Sequence, residues 1–238
     1  TDGGVAYPEL VKPCQERLGS LMYLCNSARP DIVYSVHLLC RCMSCPTPDI
    51  IKELDHIIAY LDRNRAIGLT YDKKHSKLRG FSDASWEVKN STSGWVAFWQ
   101  GAALTWGSRK QNCVALSSCE AEIIALSEAT KDMVYLRRFL SGLDKAFVGG
   151  PSELATDNMG ARDTAYNPVS HNRMKHVARR HYFVRDMVEA FEIVVPFVRT
   201  CDNWADFFTK PQPPKLFFAM RAAIMNEPAP ASGAARDA

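Results

Sequence analysis

The sequence has no apolar run approaching ~20 residues, so it offers no membrane-spanning helix. Its opening, TDGGVAYPELVK, lacks a basic segment followed by an apolar one and is no secretory signal. It does not begin with Met either, and reads as a piece of a longer product. The 8 Cys have no framework spacing, which argues against a disulfide-stapled secreted module. Reduced thiols of an intracellular protein are the expectation. The tightest group, Cys40-x-Cys42-x-x-Cys45, has no clear fourth ligand nearby, whereas structural zinc needs four. His171, His176 and His181 are spaced five apart, about 140° out of register per step on a helix, so they share no face. His37, His56 and His75 are isolated. No internal repeat is present. Strong charge of one sign is missing too: a net charge of +3 neither demands nor excludes a polyanionic partner.

What is present is a globular composition. The chain has 238 residues, 47% hydrophobic and 10% aromatic, enough for one large domain or two small ones. Residues 7–28 have a helical pattern, with Pro13 expected to interrupt it. Arg29-Pro30-Asp31 breaks the run, and Asp31 is placed to cap a helix over Ile32–Cys45. A further helix over Ile50–Asn64 completes a helical module. Short β-type runs follow at Gly68–Tyr71, Leu78–Ser82, Gly94–Gln100 and Ala103–Ser108, the last two joined by the tight turn Gly101-Ala102. Ser117 or Ser118 caps a long helix to about Leu140, striped by Ala125, Leu126, Ala129, Met133, Leu136 and Leu140. Then come a strand Ser152–Thr156, a short helix Gly160–Tyr166, a basic helix about Arg173–Ala190 and a strand Glu192–Val198. A last short helix begins at Asp202. From Gln212 on, Pro, Ala and Gly accumulate, predicting a flexible tail with at most a short helix at Leu216–Met225. Three antiparallel strands followed by crossovers predict an α/β fold: a mixed five-stranded sheet covered by helices.

Four acids stand out by position. Asp83 ends the first long strand, and Asp157 ends the strand after the long helix. Glu122 lies in the apolar stripe of that helix, while Glu120 falls on the opposite side and is expected to be solvated. Asp206 lies in the final helix. Strand ends are where open α/β sheets place ligands. Such hard oxygen donors suit Mg²⁺ or Mn²⁺, and four carboxylates can hold two ions ~4 Å apart for an in-line phosphoryl displacement. The plainer alternative is capping and solvated turn residues; a glycosidase pair would need a sugar cleft that nothing indicates.

These residues sit in longer motifs. LGSLMYLCNSARPDIVYSV, FSDASW, STSGWVAFWQGAALTWGSRKQNCVALSSCEAEIIALSEA, TDNMGA, NPVSHNRMKHVARRHYFVRD and NWADFFTKP occur in that order across most of residues 18–211. The sequence resembles, through them, the C-terminal end of the Pol polyprotein of copia-type retrotransposons, which closes with a ribonuclease H domain. The resemblance implies a ribonuclease H-like fold and Mg²⁺- or Mn²⁺-dependent hydrolysis of the RNA strand of an RNA–DNA hybrid. It assigns Asp83, Glu122, Asp157 and Asp206 as the catalytic, metal-holding acids. Residues 1–68 then read as a helical connection segment after a missing reverse transcriptase core, 69–211 as the ribonuclease H-like domain, and 212–238 as the tail. No YxDD-type paired-Asp motif occurs, so no polymerase activity is expected of this chain alone.

The implied partners are the hybrid and the remainder of the Pol polyprotein, in an intracellular setting: cytoplasm, virus-like particle or nucleus. Arg173, Lys175, Arg179, Arg180 and Arg185 of the basic helix are candidate phosphate contacts. Ser82, Ser117, Thr156 and Asn158 are candidate polar contacts, and Trp86 and Trp95 are expected to be core or packing residues and not stacking platforms. The chain departs from the family pattern in four places. Ser85 stands where a second acid is usual, and Cys119 where Thr is. Lys12–Leu18 intervenes before the GSLMYL motif, and Arg199-Thr200-Cys201 supplies no His before the last acid. A catalytically silent remnant that folds and binds nucleic acid is the alternative reading.

Overall fold

The structure is a computed structural model that describes residues 7–72, 77–87, 90–167 and 178–228, with only the backbone described at 178, 179 and 181. Five strands form one mixed sheet in the order β3-β2-β1-β4-β5. They are β1 Arg79–Ser85, β2 Thr92–Trp99, β3 Ala102–Lys110, β4 Ser152–Thr156 and β5 Ile193–Val194. β1 runs antiparallel to β2 and β2 antiparallel to β3, while β4 lies parallel to β1 and β5 parallel to β4. Gln100 and Gly101 turn the β2–β3 hairpin with φ of 51° and 90°, the positive-φ geometry that matches strand twist. This is the expected mixed five-stranded α/β sheet. The last strand is shorter than Glu192–Val198: beyond Val194 only Phe197 makes a bridge, to Thr156. Residues 67–72 form no strand; Thr70 and Asp72 instead donate their N–H groups to the carbonyls of Met225 and Gln100.

Alternation along the strands divides the core into two layers. On one face Trp95, Ala97 and Leu154 pack against α4 (Ser118–Leu143) through Leu126, Ala129, Met133, Leu136 and Leu140. The helices α5 (Met159–Tyr166) and α6 (Ala178–Glu189) close that layer through Ala165 and Val184. Gly80 lets Met133 lie close on the sheet, since a Cβ there would come 2.5 Å from the Met133 Cε and the methionine end would have to shift. On the other face Phe81, Val96 and Phe98 meet α1 (Pro8–Ser27), α2 (Val33–Cys40) and α3 (Pro48–Arg63). The N-terminal helices are thus the second cover of the sheet and share its core.

Several local expectations are corrected. Pro13 lies inside α1 without ending it, and the intervening Lys12–Leu18 adds about two helical turns that bury Cys14 and Leu18. Asp31 is not an exposed helix cap. It is buried in a 3-10 turn, Pro30–Ile32, where the Arg29 guanidinium donates to both its oxygens at 2.9 and 2.7 Å and the Tyr60 hydroxyl donates at 2.6 Å. The short helix expected at Leu216–Met225 is present as α7, Pro214–Met225, but it is docked and not part of a flexible tail, burying Met220, Ile224 and Met225 in the same layer as α1–α3. A composition rich in Pro and Ala hid an apolar face long enough to dock.

A candidate metal centre of converging carboxylates

Ser82 and Thr156 are the last paired rung between the parallel strands β1 and β4. Asp83 and Asp157 are the residues that follow on each chain, so parallel pairing alone sets them side by side. Asp206 arrives on a 3-10 helix, Trp204–Phe208. Asn203 starts that helix by accepting the Ala205 N–H at 3.1 Å, and its side-chain amide donates to the Ser82 carbonyl at 3.0 Å. Thr209 then donates its hydroxyl to Asp83. Carboxylate oxygens of Asp83, Asp157 and Asp206 come within 4.8 Å of one another.

Glu122 lies outside that three-acid grouping but against it. It sits in the second turn of α4, 6% exposed, and its Oε2 has no hydrogen-bond partner among the described residues. Burial, then the charges of Asp83 and Asp157, push its carboxyl up to about 9, while the Ala84 backbone N–H pulls the other way. Asp83 is pushed up to about 7, chiefly by burial. The Thr209 hydroxyl and Lys210 oppose that rise, while Asp206 and Asp157 reinforce it.

Glu120 is buried as well, which corrects the expectation of a solvated acid. Its backbone N–H donates to the Ser117 Oγ at 3.2 Å, and its carboxylate accepts the Leu116 N–H at 2.7 Å. It is the return arm of a helix N-terminal cap, and folds back over the helix start instead of reaching outward. Three candidate polar contacts have similar duties. Ser117 caps α4, Asn158 caps α5 by accepting the Ala161 N–H at 2.9 Å, and the Thr156 hydroxyl accepts the Asn158 N–H at 3.3 Å. Ser82 is fully buried in β1.

Two residues of the NWADFFTKP stretch were not singled out from sequence. Thr209 holds Asp83, and the Lys210 ammonium lies 2.7 Å from the Asp206 Oδ2. Their signal was present, since both follow Asp206 inside the same motif, but spacing does not say which way they point. Trp95 is buried as expected, its indole N–H on Asp132 at 2.8 Å. Trp86 is not: it is 54% exposed and donates to the Ala115 carbonyl at 3.1 Å, in the loop before α4.

The basic helix is only partly described. Arg173 and Lys175 lie outside the described residues, as does the side chain of Arg179. Arg180 reaches the Cys113 Sγ at 3.3 Å, on the loop before α4. Arg185 is turned onto its own helix, over the Tyr182 ring at 5.0 Å and 3.4 Å from Glu189. Among the described residues no helix is long and apolar enough to cross a membrane.

Could divalent ions fit? The donors are hard oxygens, they converge from three segments, and Glu122 Oε2 and Asp206 Oδ1 are buried acceptors without a partner among the described residues. That is the donor set Mg²⁺ or Mn²⁺ takes. Two neighbouring parallel strands, a long helix and a 3-10 helix thus bring four carboxylates to one edge of a mixed α/β sheet. No protein-family model matches the chain. It is 33% identical to the Pol polyprotein of transposon RE1 of Arabidopsis thaliana, over 92% of this chain and 16% of that polyprotein. To the Pol polyprotein of transposon TNT 1-94 of Nicotiana tabacum it is 32% identical, over 86% of this chain and again 16% of the polyprotein. Among solved structures, the N-terminal RNase H domain of a Mycobacterium tuberculosis protein aligns over 60% of this chain and 96% of that one, with a TM-score of 0.43 and 14% identity. The chain belongs to the family of retrotransposon Pol polyproteins, and spans about a sixth of the length of these two polyproteins.

Proposed function

We propose that the chain is a ribonuclease H that hydrolyses the RNA strand of RNA–DNA hybrids with two divalent ions, Mg²⁺ or Mn²⁺. The observation that carries this reading is the convergence of Asp83, Asp157 and Asp206 within 4.8 Å beside the buried Glu122. Ions bound there would supply an activated water and a stabilised leaving oxygen for in-line displacement at phosphorus. The chain's own part is positioning. Asp83 and Asp157 are fixed by strand pairing, Asp206 by Asn203, and Glu122 by the capped start of α4. Glu122 Oε2, buried and without a hydrogen-bond partner among the described residues, is an open acceptor for an ion.

Hybrid binding would rest on backbone shape and 2′-hydroxyls, with salt-dependent phosphate contacts from the basic helix. Arg180 is the described residue best placed for this, at the loop that leads into the helix of Glu122. Residues 1–68 would connect the domain to the remainder of the Pol polyprotein in an intracellular setting, and no polymerase activity is expected of this chain alone. The departures from the family pattern leave the acids intact: Ser85 pairs across the sheet with Thr92, and Cys119 packs against Gly160.

The test uses the purified chain with a labelled RNA–DNA hybrid and Mg²⁺. Cleavage of the RNA strand that Asp157→Asn abolishes is expected. Salt-dependent binding without cleavage, or cleavage that Asp157→Asn leaves unchanged, would overturn the catalytic reading.

A further inference from the structure

We propose that Lys210 is a tethered counter-ion of the acid cluster, competing with divalent ions for Asp206. The proposal rests on the metal-site reading above and deepens it.

The geometry is asymmetric. Lys210 Nζ lies 2.7 Å from Asp206 Oδ2, while Asp206 Oδ1 is buried with no partner among the described residues. One oxygen is therefore held by the ammonium and the other is left as an open donor. Asp206 in turn has the carboxylate oxygens of Asp83 and Asp157 within 4.8 Å of its own. The ammonium is thus paired with one member of a three-acid cluster.

Its backbone is anchored at the site. The Thr209 N–H donates to the Asp206 carbonyl at 3.3 Å, and the Thr209 hydroxyl binds Asp83. The lysine stem is not anchored: the side chain is 46% exposed. A four-carbon stem on a fixed root can withdraw into solvent without disturbing the core.

The chemistry of the two cations differs. An ammonium is a compact charge that donates hydrogen bonds, and it polarises no bound water. With Lys210 in place, the carboxylates are neutralised in part but have no Lewis acid. A divalent ion that uses Asp206 Oδ2 has to displace it. Removing the lysine charge should therefore strengthen divalent binding while leaving the metal-free cluster with more unrelieved repulsion.

The experiment is calorimetric titration of Mn²⁺ into the full chain near neutral pH, together with thermal melting without metal. Lys210→Met keeps the stem and removes the charge. It should bind Mn²⁺ about two- to fivefold more tightly than the parent chain, the range of a partly exposed ion pair, and melt at a lower temperature without metal. Lys210→Arg should stay close to the parent chain in both. In an Asp206→Asn background the Lys210→Met melting difference should shrink, since the paired partner is already gone. Equal or weaker Mn²⁺ binding by Lys210→Met, with the parent chain binding normally, would overturn the role of Lys210 alone. Failure of every variant and the parent chain to bind Mn²⁺ would defeat the metal reading itself, and this proposal with it.

Discussion

The Thr209 hydroxyl donates to Asp83 Oδ2 across 126 residues of sequence. It ties the segment that carries Asp206 to the strand that carries Asp83, and it favours the ionised form of an acid that burial pushes up to about 7. Thr209→Val removes the donor at nearly constant volume. Hybrid cleavage at neutral pH should fall roughly tenfold, the loss expected for a hydrogen bond to a charged group. The acid limb of the pH profile should also move to higher pH, because Asp83 would hold its proton longer. Thr209→Ser should restore most of both. A fall in rate with an unmoved pH limb would mean that Thr209 acts only by packing.

Gly94 is the cross-strand partner of Asp83. A Cβ there would lie 2.5 Å from the Thr209 Cγ2, 2.9 Å from the Phe208 Cβ and 3.0 Å from the Ala205 carbonyl oxygen. The absent side chain is what allows the segment of Asp206 to lie flat on β2. Gly94→Ala should cost about 1–3 kcal/mol, as overpacking does, measured by denaturant unfolding. It should also lower cleavage under conditions where the variant remains fully folded, because the backbone it pushes carries Asp206. An unaltered stability would show that this segment is free to lift away.

The pH dependence of stability follows from Glu122 and Asp83, pushed up to about 9 and about 7 from ordinary carboxyl values. Burial is the first cause for each. An acid with a raised folded-state pKa makes the folded protein bind more protons than the unfolded one, so stability falls as pH rises between the two values. Metal-free protein should therefore lose stability progressively from the ordinary carboxyl range up to about pH 9. Glu122→Gln keeps the shape and removes the larger contribution, so its stability should decline less over that span. Parallel pH profiles of the parent chain and Glu122→Gln, by chemical denaturation, would contradict the assignment.

The C-terminal helix can be tested by removal. Arg221 of α7 donates to Glu227 at 2.7 and 3.3 Å, to the Tyr60 hydroxyl at 3.0 Å and to Asn64 at 3.1 Å. The Tyr60 hydroxyl, pushed up to about 12 mainly by burial, keeps its proton and donates it to Asp31. Deleting 212–238 would strip this buried chain of charges and the cover of Met220, Ile224 and Met225 together. A loss of several kcal/mol is expected, since burying a Met or Ile side chain contributes about 1.5–3 kcal/mol each. Unchanged denaturant midpoints would return the segment to the status of a tail.

Much of this was legible in local chemistry. The β2–β3 hairpin could be located because a small-residue turn lies between two β-type runs, and α4 because its apolar stripe and serine cap coincide. Glu122 was identifiable from the stripe. Glu120 was misplaced because a helix wheel assigns a direction outward from the axis, whereas a residue in the first turn can fold back along the axis to cap it. The continuity of α1 through Pro13 and the docking of α7 are hidden because composition reports what a segment costs in isolation and not what tertiary burial returns. Lys210 was passed over for another reason. The site is assembled from four segments, and which cation reaches it depends on the path of Asn203–Thr209 across the sheet, which no local pattern records.

That same dependence on packing separates two arginines that sequence treats alike. Arg180 reaches the loop that leads into α4, the helix of Glu122, and its contact there is the thiol of Cys113, which offers no opposing charge. Arg185 is half-buried, stacked on Tyr182 and paired with Glu189. Among the described residues Arg180 makes no ion pair that a phosphate would have to break, whereas using Arg185 would cost the contacts that settle it on α6. Arg180→Glu should therefore weaken hybrid affinity at low salt several-fold and flatten the salt dependence, since one phosphate contact fewer releases fewer counterions. Its melting temperature should be little altered. Arg185→Glu should do the reverse, lowering stability by placing a carboxylate beside Glu189, with hybrid affinity near that of the parent chain once the protein is folded. Hybrid binding by fluorescence anisotropy over a salt series, with a melting curve for each variant, separates the two. Equal losses of affinity in both, at unchanged stability, would mean that the whole exposed length of the basic helix lies on the nucleic acid.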